Sequence, residues 1–165
     1  EQKPNTPQDL ALGDELIEQS LALAKLANEY SQKQSLQARK NKHKFITAST
    51  QEYAYDDWAI AQLAKAMQKE DDYQLFSQRA QSYRQLFDAK TGFMRGKTKE
   101  GQWVSPFNPT YVAHRTTDYT EANAWQYNFF VPHDVPGLMA LYGGPAAFSA
   151  KLDQLFETAQ FADVI

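Results

Sequence analysis

The stretch from Tyr73 to Phe87 constrains the fold most. Tyr73, Phe76, Ala80, Tyr83 and Phe87 recur at spacings of 3, 4, 3 and 4. That alternation follows the 3.6-residue helical turn and excludes a strand, whose period is two. A helix with such a stripe must bury it against a neighbour. The preceding segment supplies one: Tyr53, Ile60, Leu63, Ala64 and Met67 form the inner face of a helix starting near Ser49 or Thr50, either of which can cap it. Glu70, Asp71 and Asp72 then place negative charge at the next helix N-terminus, where the macrodipole favours it. The turn between the two is short, so they are predicted to pack as an antiparallel hairpin. An earlier helix is predicted from Asp9, with Leu16, Leu23, Ala27 and Tyr30 as an apolar stripe flanked by Ile17, Leu21 and Ala24. It is expected to fade in the polar run Gln32 to Lys44, whose cationic end suits a helix C-terminus.

A chain of 165 residues that is 42% hydrophobic can bury a core without staples or metals. Its net charge of -3 gives no electrostatic case for nucleic acid, and no aromatics interleave the charges of the basic run, which argues against such a partner. No apolar run is long enough to span a bilayer. The absence of cysteine removes disulfides, zinc-thiolate sites and cysteine nucleophiles together, and fits a secreted or periplasmic bacterial protein. Residues 1–8 are polar and proline-bearing and read as a flexible N-terminal segment with no signal peptide pattern. Residues 158–165 read as a C-terminal tail.

The middle of the chain changes character. Gly92 is the turn residue that follows the third helix. Phe93-Met94-Arg95 and Trp103-Val104 flank the polar run from Gly96 to Gln102, a pattern that predicts one small β-hairpin. Residues 105–120 form a long irregular stretch with Pro106 and Pro109, and loops of that length in a compact domain tend to be functional. Helices are predicted for Glu121 to Val131, Val135 to Leu141 and Pro145 to Glu157, the last burying Phe148, Leu152, Leu155 and Phe156. The fold class is mainly α, built from helical hairpins with one small β-hairpin, and residues 9–157 form the domain.

Chemistry concentrates between Thr120 and Asp134. Glu121, Asn123, Gln126, Asn128, His133 and Asp134 stand among Tyr119, Trp125, Tyr127, Phe129 and Phe130. On a continuous helix Glu121 and Trp125 share a face, and a carboxyl beside an indole is partly desolvated, which favours its protonated form as a general acid requires. Capping of a helix start by Thr120-Glu121 is the plainer reading of the same residues. Tyr53-Ala54-Tyr55-Asp56-Asp57-Trp58 is a second cluster. Its carboxylates can compensate a helix dipole or accept sugar hydroxyls, and its rings can pack in a core or stack on a sugar. Arg95, with Trp103 nearby, is either a surface cation or a donor to sugar hydroxyls. His43, His114 and His133 are too far apart for a zinc motif, and there is no phosphate-cradling glycine loop.

These motifs occur in one order: Tyr53-Ala-Tyr-Asp-Asp-Trp58, Leu86-Phe-Asp88, Thr91-Gly-Phe-Met-Arg-Gly96, Asp118-Tyr-Thr-Glu-Ala-Asn-Ala-Trp-Gln-Tyr127 and Val131-Pro-His-Asp-Val-Pro-Gly-Leu138. Gly143-Gly144, Phe148 and Lys151-Leu-Asp153 continue the pattern. From about Ala48 to Phe156 the chain resembles the calcium-dependent α-mannosidases of glycoside hydrolase family 92. The resemblance implies part of an (α/α)6 barrel, and exo-acting hydrolysis of α-mannosidic bonds in glycans with inversion. Glu121 falls on the family's general acid. Asn123 and Gln126 fall beside it as sugar or calcium contacts, and Tyr53, Asp56, Asp57, Trp58, Arg95 and Trp125 as residues lining or supporting the sugar pocket. Inverting enzymes hold acid and base roughly 6.5–9.5 Å apart so that a water fits between.

Ala122 stands where the family usually has glycine. The resemblance places the catalytic bases in downstream segments that do not occur in these 165 residues, so the chain alone is expected to be inactive. The alternative is a non-catalytic α-helical module that binds a glycan or a protein. A partial helical ring also leaves apolar faces uncovered, which predicts self-association or complementary segments elsewhere.

Overall fold

The computed structural model describes residues 7–40, 46–98, 100–113 and 117–158. Three helices make the main layer: α1 (Pro7–Lys40), α2 (Ile46–Ala66) and α3 (Glu70–Arg79). The expected hairpin is α2 and α3, joined at Gln68, whose φ of 58° reverses the chain in the left-handed conformation common just past a helix end. Ile60, Ala61, Ala64 and Phe76 are buried between them, together with Leu21 from α1.

Several sequence expectations shift. The first helix ends at Lys40, inside the cationic part of the Gln32–Lys44 run as expected, but it begins at Pro7, so residues 7 and 8 belong to it. Its buried row is Leu21 and Asn28, with Ala24 and Lys25 partly covered, whereas Leu16, Leu23, Ala27 and Tyr30 are exposed. The reason is that α1 carries two apolar rows, and polar bonds select which one docks. Asn28 donates to Asp57 of α2 at 2.7 Å, Lys25 pairs with Asp72 of α3 at 2.7 Å, and Lys69 pairs with Glu18 at 2.7 Å. The second helix starts at Ile46, so Ser49 and Thr50 lie inside it and do not cap it.

The Tyr73–Phe87 stripe does face inward, but one helix does not carry it throughout. α3 ends at Arg79, a 3-10 turn spans Ser82–Leu86, and Phe87 enters a strand. Tyr83 is fully buried in a second cluster with Ala54, Leu86, Met94, Val131 and Leu138. The hairpin is displaced from its predicted place. β1 (Phe87–Asp88) pairs antiparallel with β2 (Phe93–Met94), in register Phe87 with Met94 and Asp88 with Phe93. Gly92, at φ 69°, closes the turn by donating its N–H to the Asp88 carbonyl at 2.8 Å. The predicted pairing of the Phe93 and Trp103 segments survives as one bridge between Lys97 and Trp103, supported by the Val104 N–H bond to the Gly96 carbonyl at 3.0 Å.

Beyond the irregular segment come α4 (Ala124–Tyr127), α5 (Val135–Leu141) and α6 (Pro145–Glu157). The predicted helix from Glu121 to Val131 thus shrinks to four residues. Asn123 caps it by accepting from the backbone N–H groups of Trp125 and Gln126, and the Gln126 side chain accepts from the Asn123 N–H. Aromatic packing rather than burial of a stripe holds α6: Phe148 meets Phe129 and Tyr142 edge-on, and Phe156, expected inside, is 81% exposed. Among the described residues no helix is long and apolar enough to cross a membrane. Residues 1–6 and 159–165, most of the predicted flexible segment and tail, lie outside the described residues, as does His114.

Candidate active site and an adjoining cavity

Glu121 sits just before α4, not on it. Its backbone is left-handed, φ 52°, and its side chain is exposed. The expectation that Glu121 and Trp125 share a helical face is therefore corrected: the chain turns at Glu121 and the helix begins three residues later. The residues around it are fixed. Ala122 and Asn123 are buried. The Tyr119 hydroxyl donates to the Met94 carbonyl at 2.6 Å, and burial, with the nearby Asp118 charge, pushes that phenol well up.

Helix α2 holds this segment from the other side. Gln51, fully buried, donates to the carbonyls of Tyr127 and Phe130 at 2.8 and 3.1 Å. The Ala48 N–H donates to the Asp118 carbonyl at 3.0 Å. The Tyr127 hydroxyl donates to Glu52 at 2.9 Å, and burial followed by that bond pushes its pKa up to about 12. Asn128 is fully buried, accepts from the Met94 N–H at 3.0 Å and donates to the Gly92 carbonyl at 3.2 Å, which ties α4 to the hairpin.

The other candidates fall into separate places. Asp57 is buried between helices, where it accepts from Asn28 and meets Arg79 at 3.0 Å; burial pushes its carboxyl up despite that arginine. Asp56 is exposed on the same helix, and partial burial raises its carboxyl too. Trp58 stacks on Tyr55 at 5.9 Å and leans towards His133 at 6.4 Å, while Tyr53 is half-buried. Trp125 is a core residue: it meets Phe93 edge-on at 4.7 Å, and Lys151 lies 4.3 Å over its ring. Burial pushes the Lys151 ammonium down.

Arg95 is only 9% exposed and lines a cavity of about 460 Å³ with Phe107, Asn108, Tyr111, Asp118 and Tyr119. One end of its guanidinium pairs with Asp88 and the other donates to the Val104 carbonyl at 2.8 Å. Its plane lies 4.3 Å over Phe107. Burial opposes ionisation of Asp88, but bonds from Arg95, Thr91 and the Lys90 N–H outweigh it and hold the carboxyl below its usual range. Gln51 and Phe107 were not singled out from sequence, Asp118 entered only as the start of a motif, and Asn128 was named only within its polar-aromatic segment. A buried amide in a polar-aromatic segment, as at Asn128, was the available signal.

The fit of calcium to Asn123 and Gln126 can be judged from their bonds. Both side-chain carbonyl oxygens already accept backbone N–H groups in the cap. Among the described residues no three acidic, histidine or cysteine side chains converge as a metal site requires. These two residues therefore do not fit a calcium ion.

Helical hairpins beside one small antiparallel sheet define a mainly α-helical domain. The family comparison makes this specific. Residues 9–164 match the glycosyl hydrolase family 92 catalytic domain, and the chain belongs to that family. A family GH92 α-mannosidase of Bacteroides thetaiotaomicron, solved with mannoimidazole, is 43% identical with TM-score 0.66 over 71% of this chain and 16% of its own. A GH92 inverting mannosidase of the same organism is 38% identical with TM-score 0.61 over 65% and 14%. An uncharacterized secreted glycosidase of Arthroderma benhamiae is 30% identical over 66% of this chain and 16% of its own length. The chain thus spans about a sixth of these relatives, and its helical hairpins are part of the (α/α)6 barrel.

Proposed function

We propose that this chain is the acid-bearing part of an exported exo-α-mannosidase that hydrolyses α-mannosidic bonds in glycans with inversion, and that Glu121 is its general acid. The observation that carries the reading is the backbone at Glu121. A non-glycine residue at φ 52° costs free energy and persists only where its surroundings over-determine it, which is typical of functional positions. Here the buried Ala122, the Asn123 cap and the Tyr119 anchor supply that constraint, and Glu121 itself is exposed. Glu121 protonates the leaving oxygen; carboxylates from other segments of the family's domain activate the water. Calcium belongs to this reading only as a ligand of those other segments, since Asn123 and Gln126 are engaged in the cap.

Tyr53, Asp56, Asp57, Trp58 and Trp125 then act mainly as support. Asp57 fastens α2 to its neighbours and Trp125 fills the core behind the loop. The test is Glu121→Gln in a protein that carries this segment within a whole family 92 domain. Turnover of α-mannosides with poor leaving groups should fall by about 10²–10⁴. An unimpaired variant refutes the assignment.

A further inference from the structure

We propose that Tyr127 is a positioning residue for Glu121: it grips the chain on both sides of that glutamate and passes the restraint to Glu52 of α2. This role rests on the reading of Glu121 as general acid. A left-handed backbone at φ 52° needs fixed flanks, since release of either one lets the residue return to a commoner conformation. Tyr127, the last residue of α4, reaches both flanks. Its ring lies 5.8 Å from that of Tyr119, which precedes Glu121 in the loop. Its hydroxyl meets the N–H and the hydroxyl of Thr120, the residue just before Glu121. Its own N–H donates at 3.3 Å to the carbonyl of Asn123, which follows Glu121 and Ala122.

The grip is anchored outside the loop. The Tyr127 hydroxyl donates to Glu52 at 2.9 Å, and Gln51, its neighbour on α2, donates to the Tyr127 carbonyl at 2.8 Å. Helix α2 therefore holds Tyr127 by both its side chain and its main chain. A phenol whose pKa is pushed up to about 12 keeps its proton at neutral pH, so the bond to Glu52 persists there and the hydroxyl is no acid for a substrate. Its contribution is geometric: Glu121 carries the proton, and Tyr127 fixes where the carboxyl stands. Such placement matters to the chemical step, because a displacement of about 1 Å at a reacting group can cost about 10²-fold in rate.

Leaving-group chemistry separates positioning from plain structural support. A poor leaving group needs the acid's proton, whereas an activated aryl oxide departs without it. The experiment compares a mannose disaccharide with dinitrophenyl α-mannoside, in a protein that carries this segment within a whole family 92 domain. Tyr127→Phe keeps the ring and loses the hydroxyl. It should lower kcat on the disaccharide about tenfold at unchanged KM, and on the activated substrate by no more than about twofold. Glu52→Ala, at an exposed position that puts folding at little risk, should act in the same way, and Glu52→Gln, which keeps an acceptor for the phenol, should restore most of the rate. In the 165-residue chain, amide exchange at Thr120 should quicken about tenfold in Tyr127→Phe, while exchange at the buried Phe76 of α3 stays as it was. Equal losses on the two substrates, a raised KM with kcat kept, or unaltered exchange at Thr120 would overturn the proposal. Glu121→Gln keeps the two readings apart. If it selectively loses the disaccharide reaction and Tyr127→Phe does not, the positioning role alone fails. If it shows no such selectivity, the acid reading fails and takes the positioning role with it.

Discussion

Replacing Asp88 tests the polar floor beneath the hairpin and the cavity. Asp88 is 5% exposed and Arg95 9%, so Asp88→Ala leaves a guanidinium buried without its counter-ion. Removing one partner of such a pair costs about 3–5 kcal/mol. The Lys90 N–H and the Thr91 hydroxyl lose the same acceptor, which adds to the cost. A domain of this size shifts its Tm by about 2–4 °C per kcal/mol, so a drop of about 6–20 °C is expected in a thermal melt followed by circular dichroism. Arg95→Met in the same background should restore much of the loss, because an apolar side chain of similar volume removes the stranded charge. A coupling below about 0.5 kcal/mol in the double-mutant cycle would show that the pair does not act as a unit, and the reasoning fails. The sign with pH follows from the lowered carboxyl. Asp88 contributes its full stability above its unfolded pKa of about 3.9, and that contribution is lost as pH falls through the lower folded value. Asp88→Asn should flatten this part of the acid limb.

Two further outcomes test the packing. Asn128→Ala removes the acceptor of the Met94 N–H and a donor to the Gly92 carbonyl, which should cost about 2–4 kcal/mol and speed amide exchange at Met94. Leu21→Ala should cost about 2–5 kcal/mol in urea unfolding, whereas Leu23→Ala, at a position 67% exposed, should cost no more than about 0.5 kcal/mol. Equal losses at the two sites would mean that α1 docks by the other row.

Periodicity carried the helices because one buried face suffices to impose it. Tyr73, Phe76, Ala80 and Tyr83 point inward although the backbone leaves the α-helix at Arg79, since a 3-10 turn keeps nearly the same facing for the next apolar residue. On α1 only part of the predicted wide stripe docks: Leu21 is buried and Ala24 partly covered, while the bulkier residues stay exposed. Leu16, Leu23 and Tyr30 outweigh Leu21 and Ala24 in bulk, but the partner contacts come from Lys25 and Asn28, and long-range polar bonds leave no periodic trace. The short α4 was legible in a different signal. Asn123 followed three residues later by Gln126 is a capping-box spacing, and it marks the helix start that hydrophobic pattern alone put at Glu121. The hairpin moved because strands of two residues carry no alternation, and the glycine turn at Gly92 decides their pairing.

The position of Glu121 then follows from a division of labour along α2. Its first turns hold the Glu121 segment: Ala48 binds the Asp118 carbonyl, Gln51 spans the Tyr127 and Phe130 carbonyls, and Glu52 takes the Tyr127 hydroxyl. Its next turns face the helical layer, where Asp57 binds α1 and α3 and Ile60, Ala61 and Ala64 pack against them. One rigid helix therefore ties the irregular loop to the barrel wall. A loop bound in this way can keep a glutamate left-handed at its tip, because the anchored residues on either side resist the backbone's return to an extended path.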